Sequence, residues 1–78
     1  MTDVGALSRA VARILVDACD ELFVTQTELA RRSGVSQSQI SKLLRAEREI
    51  KLGQLDAICA ALGLSIVAVV AEATNPEP

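Results

Sequence analysis

Gln37, Ser38, Ser41, Lys42 and Arg45 project to one side of a short segment whose other side carries Ile40 and Leu43. That side holds amides, hydroxyls and cations, and no carboxylate. An ordinary solvated helix face mixes Glu with Lys, so the missing acids carry the information. The chemistry on offer is directional hydrogen bonding. Gln bonds adenine through N6 and N7, Lys donates to guanine O6 and N7, and Ser suits either. The spacing therefore points to a helix face that reads base edges in the major groove of duplex DNA. A helix that is merely polar and soluble is the plain alternative.

Catalytic chemistry is hard to build from the same chain. It contains no histidine, so neither cysteine has the usual activating base. Ser38 and Lys42 are four residues apart, but a serine–lysine pair needs a desolvated lysine and this face is exposed. The four glycines are scattered singly and form no phosphate loop. Cys19 and Cys59 fall on separate helices, which is no cluster for a metal. Phe23 alone cannot supply stacking platforms for single-stranded RNA. No enzyme, no metal and no cofactor is expected.

The elements that hold this face are legible on either side of it. Thr25 followed by Glu28 forms a capping box: the hydroxyl takes the Glu28 amide and the carboxylate reaches back. Leu29 and Ala30 are the apolar side of the short helix that follows. Gly34 then stands where a helix closes on a left-handed residue, with the apolar Val35 after it. Ser36 caps the next helix, whose inward residues are Ile40 and Leu43. Two short helices and a tight glycine turn make a helix-turn-helix.

The run TQTELARRSGVSQSQISKLL resembles the Cro/C1-type (XRE) helix-turn-helix family, and the resemblance extends over roughly residues 7–71. It implies an all-α, five-helix, lambda-repressor-like DNA-binding domain. In that family the first two exposed residues of the recognition helix and the one a turn later touch bases, here Gln37, Ser38 and Lys42. Ser41 lies on the same face and joins them as a base-reading candidate. Gln26 is similar to the family glutamine that binds a phosphate and braces the first base-reading residue. Ser36, Gln39, Arg45 and Arg48 are the further phosphate candidates. The chain departs from the family in having Leu43-Leu44-Arg45-Ala46-Glu47 where many members carry Leu-Glu-x-Gly. Leu44 replaces the acid that often pairs with an arginine of the first helix, so that ion pair is not expected. The missing glycine leaves the path of the following loop open.

The chain has 78 residues, half of them apolar and only Phe23 aromatic. That suffices for one small aliphatic domain, expected over residues 1–73 with a disordered tail at 74–78. A domain this size buries only about 60% of its unfolded surface, so a second subunit would help it. The net charge is −2, an objection to nucleic-acid binding. Its distribution softens the objection. Residues 31–51 hold six of the eight cations against Glu47 and Glu49, a local +4. Local field decides what a face attracts. Arg48 and Lys51 lie in the loop after the reading helix, where the same two acids could neutralise them.

A first helix is expected over residues 3–22, capped by Thr2 or Asp3, with Val4, Leu7, Val11, Ile14, Leu15, Ala18 and Leu22 inward. A fourth is expected over Leu52–Leu62, with Leu52, Leu55, Ile58, Cys59 and Leu62 on one side. Cys19 and Cys59 read as small reduced core residues, with a structural disulfide as the alternative. Gly63 and Leu64 repeat the Gly-then-apolar stop, and Ser65 caps the last segment. Ile66, Val69 and Val70 have helical spacing and match the family's fifth helix. Four β-branched residues in five positions would also suit a strand. Helix is the expectation. Val67 and Ala71 leave surplus apolar surface, and Val67, Val70 and Ala71 are the candidate dimer contacts.

No basic segment followed by an apolar run opens the chain, and Ile66–Ala71 is far shorter than the ~20 residues of a membrane span. A cytoplasmic protein with no membrane partner is expected. The residues point to a homodimeric transcriptional regulator, a Cro-like or immunity-type repressor, on an inverted repeat with half-sites ~34 Å apart. Two other readings fit the same fold: an antitoxin that binds a toxin protein and represses its own operon, or a pure protein-interaction module.

Overall fold

A computed structural model describes residues 4–75. Within them the chain runs α1 (Ala6–Leu22), α2 (Gln26–Ser33), α3 (Gln37–Leu44), α4 (Leu52–Leu62) and α5 (Ile66–Thr74), with no strand among the described residues.

Each helix starts and stops for a local reason. Thr25, Ser36 and Ser65 hydroxyls accept the amides of Glu28, Gln39 and Ala68 at 3.1, 3.2 and 3.2 Å, satisfying donors that have no partner inside the helix. The Glu28 carboxylate does not reach back to Thr25 as the capping box predicts. It turns forward onto Arg31 and Arg32, whose charges outcompete a single backbone amide. α1 begins at Ala6 with Gly5 as its cap, later than the expected residue 3; the expected caps Thr2 and Asp3 lie outside the described residues.

α1, α2, α3 and α4 are each closed by a left-handed residue: Phe23, Gly34, Ala46 and Gly63, with φ of 57°, 78°, 58° and 71°. After α3 the Ala46 amide reaches the Leu43 carbonyl at 3.1 Å and the Glu47 amide reaches the Lys42 carbonyl at 2.9 Å. That is a Schellman closure with alanine where glycine is usual. The missing family glycine therefore does not redirect the loop, because the hydrogen bonds hold Ala46 in the conformation glycine would take.

Leu15, Leu29, Ile40, Leu43, Ile58 and Cys59 are fully buried, one or more from each of α1 to α4, and Val69 of α5 is 4% exposed. Each such side chain contributes about 1.5–3 kcal/mol of burial. Leu44 is buried as well, so the family's acid is replaced by core. On α1 the buried set is Val11, Ala12, Leu15 and Cys19; Leu7 and Leu22, expected inward, are about half exposed because they sit in the terminal turns. Leu52, also expected inward, is 74% exposed in the first turn of α4. Cys19 and Cys59 are buried free thiols, both pushed up in pKa chiefly by burial and further by Asp20 and Asp56 respectively.

The last segment is a helix. Its β-branched residues would suit a strand, but Ser65 caps it, Val69 is buried in the core and α5 packs on α1 and α4, so packing overrides propensity. α4 and α5 meet at 113° across Gly63. Thr74, expected in the tail, ends α5, its hydroxyl donating to the Val70 carbonyl at 2.9 Å; residues 76–78 lie outside the described part.

Candidate nucleic-acid interface

The face that the spacing singles out is built from the second half of a helix-turn-helix. Ser36 sits in extended backbone (φ −60°, ψ 149°) and spends its hydroxyl on the Gln39 amide, which starts α3 cleanly. Ile40, Leu43 and Leu44 anchor α3 from below, and Leu29 anchors α2 beside it. With three buried residues in eight, α3 has little freedom to roll about its axis. Gln37 and Ser38 in its first turn are exposed, as is Arg45 just past its end, while Ser41 and Lys42 are half-buried at their bases. These five therefore share one outward surface that no acid of α3 interrupts.

The phosphate candidates are spread around that surface. Gln26 is the exposed first residue of α2, one position after the Thr25 cap. Ser36 caps the start of α3, and Gln39 in its first turn reaches toward the start of α4. There the Gln39 Oε1 accepts the Gln54 amide at 3.0 Å, and Gln54 Oε1 accepts the Lys51 N–H at 3.3 Å. This chain of amides ties the start of α3 to the start of α4 and leaves the Gln39 NH2 available as a donor. Gln54 is the residue that sequence reasoning missed. Its signal was present, since a Gln at the third position of a helix is the usual partner of a cap amide.

The local excess of cations is smaller than the sequence count suggests. Glu28 binds Arg31 at 2.5 Å and Arg32 at 2.8 Å, and these bonds to Arg31 and then Arg32 hold its carboxyl down to about 2. The acid lies in the first turn of α2 and the arginines in its last, as the helix dipole favours. Arg45 pairs with Glu47 at 3.3 Å, both partners more than half exposed or nearly so. Glu49 is held below the ordinary carboxylate range by the Ser8 hydroxyl, the Gly5 amide and the nearby Arg9 charge. Lys42, Arg48 and Lys51 make no ion pair among the described residues. They are the cations a phosphate or base would meet first.

The dimer candidates occupy a different side. Val67 is 75% exposed, Ala71 is exposed and Val70 half-buried; with Leu52 and Ile66 they line one shallow apolar depression. A second groove, reaching Leu7, shares Leu52 and Val70 with it. A hollow of about 470 Å³ lies between the end of α1 and the start of α2, with the exposed Phe23 in its lining. No single helix among the described residues is long and apolar enough to cross a membrane.

A sequence model of the helix-turn-helix family matches residues 18–69, from the last turn of α1 into α5. The crystal structure of the clp gene regulator ClgR from C. glutamicum is similar to this chain, with a TM-score of 0.81 and 34% identity over 90% of this chain and 91% of that one. No curated protein sequence gives a significant match.

Proposed function

The chain belongs to the XRE/Cro/C1-type helix-turn-helix family and is a DNA-binding transcriptional regulator, and from that premise we propose that it is a homodimeric, Cro-like repressor of an inverted-repeat operator. The observation that carries the proposal is the outward surface of α3, where Gln37, Ser38, Ser41 and Lys42 stand together without an acid among them. α3 enters the major groove. Gln37, Ser38 and Lys42 read base edges, with Ser41 beside them. Gln26, Ser36, Gln39, Arg45 and Arg48 bind phosphates on either flank, which sets register without specifying sequence. Arg45 gives up Glu47 for a phosphate, an exchange that costs little because the pair is exposed.

The two-fold contact forms through Val67, Val70 and Ala71, extended by the exposed Leu52. Such a dimer spaces two copies of α3 about one helical turn apart on DNA. Occupying the operator is then sufficient for repression, and no chemical step is involved.

The test is selection from a random duplex pool, with affinity followed against salt. An enriched inverted repeat and a steep salt slope uphold the reading. Absence of any enriched sequence would overturn it and move the function to a protein partner, as in an antitoxin or an interaction module.

A further inference from the structure

Arg48 stands between two acids in the sequence, and both are committed elsewhere. Glu47 turns back to Arg45. Glu49 crosses to the other end of the chain: its Oε2 accepts the Gly5 N–H at 2.5 Å and its Oε1 accepts the Ser8 O–H at 2.7 Å. The Ser8 Oγ in turn accepts the Ile50 N–H at 3.2 Å. No side chain accepts the first-turn amides of α1, and Glu49, more than forty positions away, takes the N–H of the cap residue Gly5 itself. The loop after α3 is thus pinned at both ends. The Schellman closure holds Glu47 to Lys42, and Glu49 with Ile50 is tied to α1. Arg48 is the exposed residue between the two pins.

We propose that Glu49 is a positioning residue for DNA binding: by accepting from Gly5 and Ser8 at the start of α1 it holds the loop so that Arg48 meets a phosphate. The inference rests on the DNA-binding reading and on Arg48 as one of its phosphate contacts. A charged loop residue with no tether would have to be ordered on binding, whereas here that ordering is completed during folding. The arrangement also explains why an acid is tolerated beside the interface. Its charge is taken up by the Gly5 amide and the Ser8 hydroxyl at the start of α1.

Charge alone and positioning predict opposite signs for the same substitution. Deleting an acid near DNA should tighten binding by electrostatics; deleting a tether should weaken it. The experiment measures affinity for a short mixed-sequence duplex at about 50 and 200 mM salt, an interval over which one phosphate contact changes affinity about 3.5-fold per subunit. Wild type, Arg48→Ala, Glu49→Ala, Glu49→Gln and the double variant Arg48→Ala/Glu49→Ala are compared, with circular dichroism confirming the fold. Glu49→Ala is expected to lose the same salt-dependent factor as Arg48→Ala, the double variant to bind no worse than Arg48→Ala, and Glu49→Gln, which keeps an acceptor, to recover part of the loss. Ser8→Ala, which removes the link to Ile50 and one of the two donors to Glu49 while keeping the carboxylate charge, should weaken binding in the same direction.

Unchanged or tighter binding by Glu49→Ala overturns the inference while leaving the DNA reading in place. If Arg48→Ala binds like wild type, the inference falls with the Arg48 contact. A wild-type chain without duplex affinity overturns both.

Discussion

Replacing Ala46 by glycine should stabilise this protein, against the general expectation for removing a methyl group. Ala46 closes α3 at φ 58°, a conformation that costs an L-residue about 1–2 kcal/mol. Glycine adopts it freely but gives up about 0.5–1 kcal/mol through the greater freedom of its unfolded chain. The difference favours Ala46→Gly by about 0.5–1 kcal/mol. In a domain of this length that is a rise in Tm of about 2–8 °C. Gly34 gives the converse substitution. It has φ 78°, and a Cβ built there meets nothing within 4 Å, so Gly34→Ala carries backbone strain and no steric clash. By the same difference it should lower stability by about 0.5–1 kcal/mol. Urea unfolding with an unchanged m-value, alongside thermal melts, separates these effects from changes in the unfolded ensemble. DNA affinity of Ala46→Gly should equal wild type, since the hydrogen bonds from Ala46 and Glu47 to α3 use only backbone atoms. A lowered urea midpoint for Ala46→Gly would refute the reasoning, because strain at a left-handed alanine would then be smaller than the entropy cost of glycine.

Other substitutions probe the interface and the core. Lys42→Ala should lower affinity for the selected operator by about 1–3 kcal/mol while leaving mixed-sequence duplex nearly unaffected. Arg45→Ala should weaken all duplexes alike and reduce the salt slope by about 0.9 per subunit; loss of discrimination by Arg45→Ala instead would reverse the two roles. The Glu28 carboxyl should titrate at about 2, below its ordinary 4.5. A depressed carboxyl stabilises the fold above its unfolded value, so this contribution is full above about 4.5 and vanishes as pH falls to about 2. Glu28→Gln should therefore melt earlier than wild type at neutral pH and together with it near pH 2, and an NMR titration of Glu28 near 4.5 would contradict this. Leu15→Ala, at a residue with no exposed surface, should cost about 2–5 kcal/mol in the urea midpoint, a large part of the ~5–15 kcal/mol typical of a domain.

The helix-turn-helix was legible because its signals are local. Thr25, Gly34 and Ser36 act on amides and carbonyls a few residues away, and the 3.6-residue period tells Ile40 and Leu43 from Gln37, Ser38 and Lys42 without reference to the rest of the chain. The same locality explains where the reading fell short. Whether Glu28 reached back to its cap or forward to two arginines depended on competing partners, and two guanidinium charges bind a carboxylate more strongly than one amide. Leu7, Leu22 and Leu52 have the right period for burial, yet periodicity says nothing about whether another helix extends far enough to cover them. Phe23 and Ala46 close helices in a glycine conformation that neither residue type advertises.

Tertiary structure alone decided the matters that join distant residues. Residues 66–74 have a composition suited to strand or helix, and the burial of Val69 as α5 packs on α1 and α4 settled them as helix. Six cations crowd residues 31–51, but only the folded chain reveals that Arg31 and Arg32 are taken by Glu28 and Arg45 by Glu47. Glu49 reads in the sequence as a neighbour that would neutralise Arg48. Folding brings Gly5 and Ser8 to it from the opposite end of the chain, and hydrogen-bond donors at fixed short distance hold a carboxylate more firmly than a solvated arginine beside it.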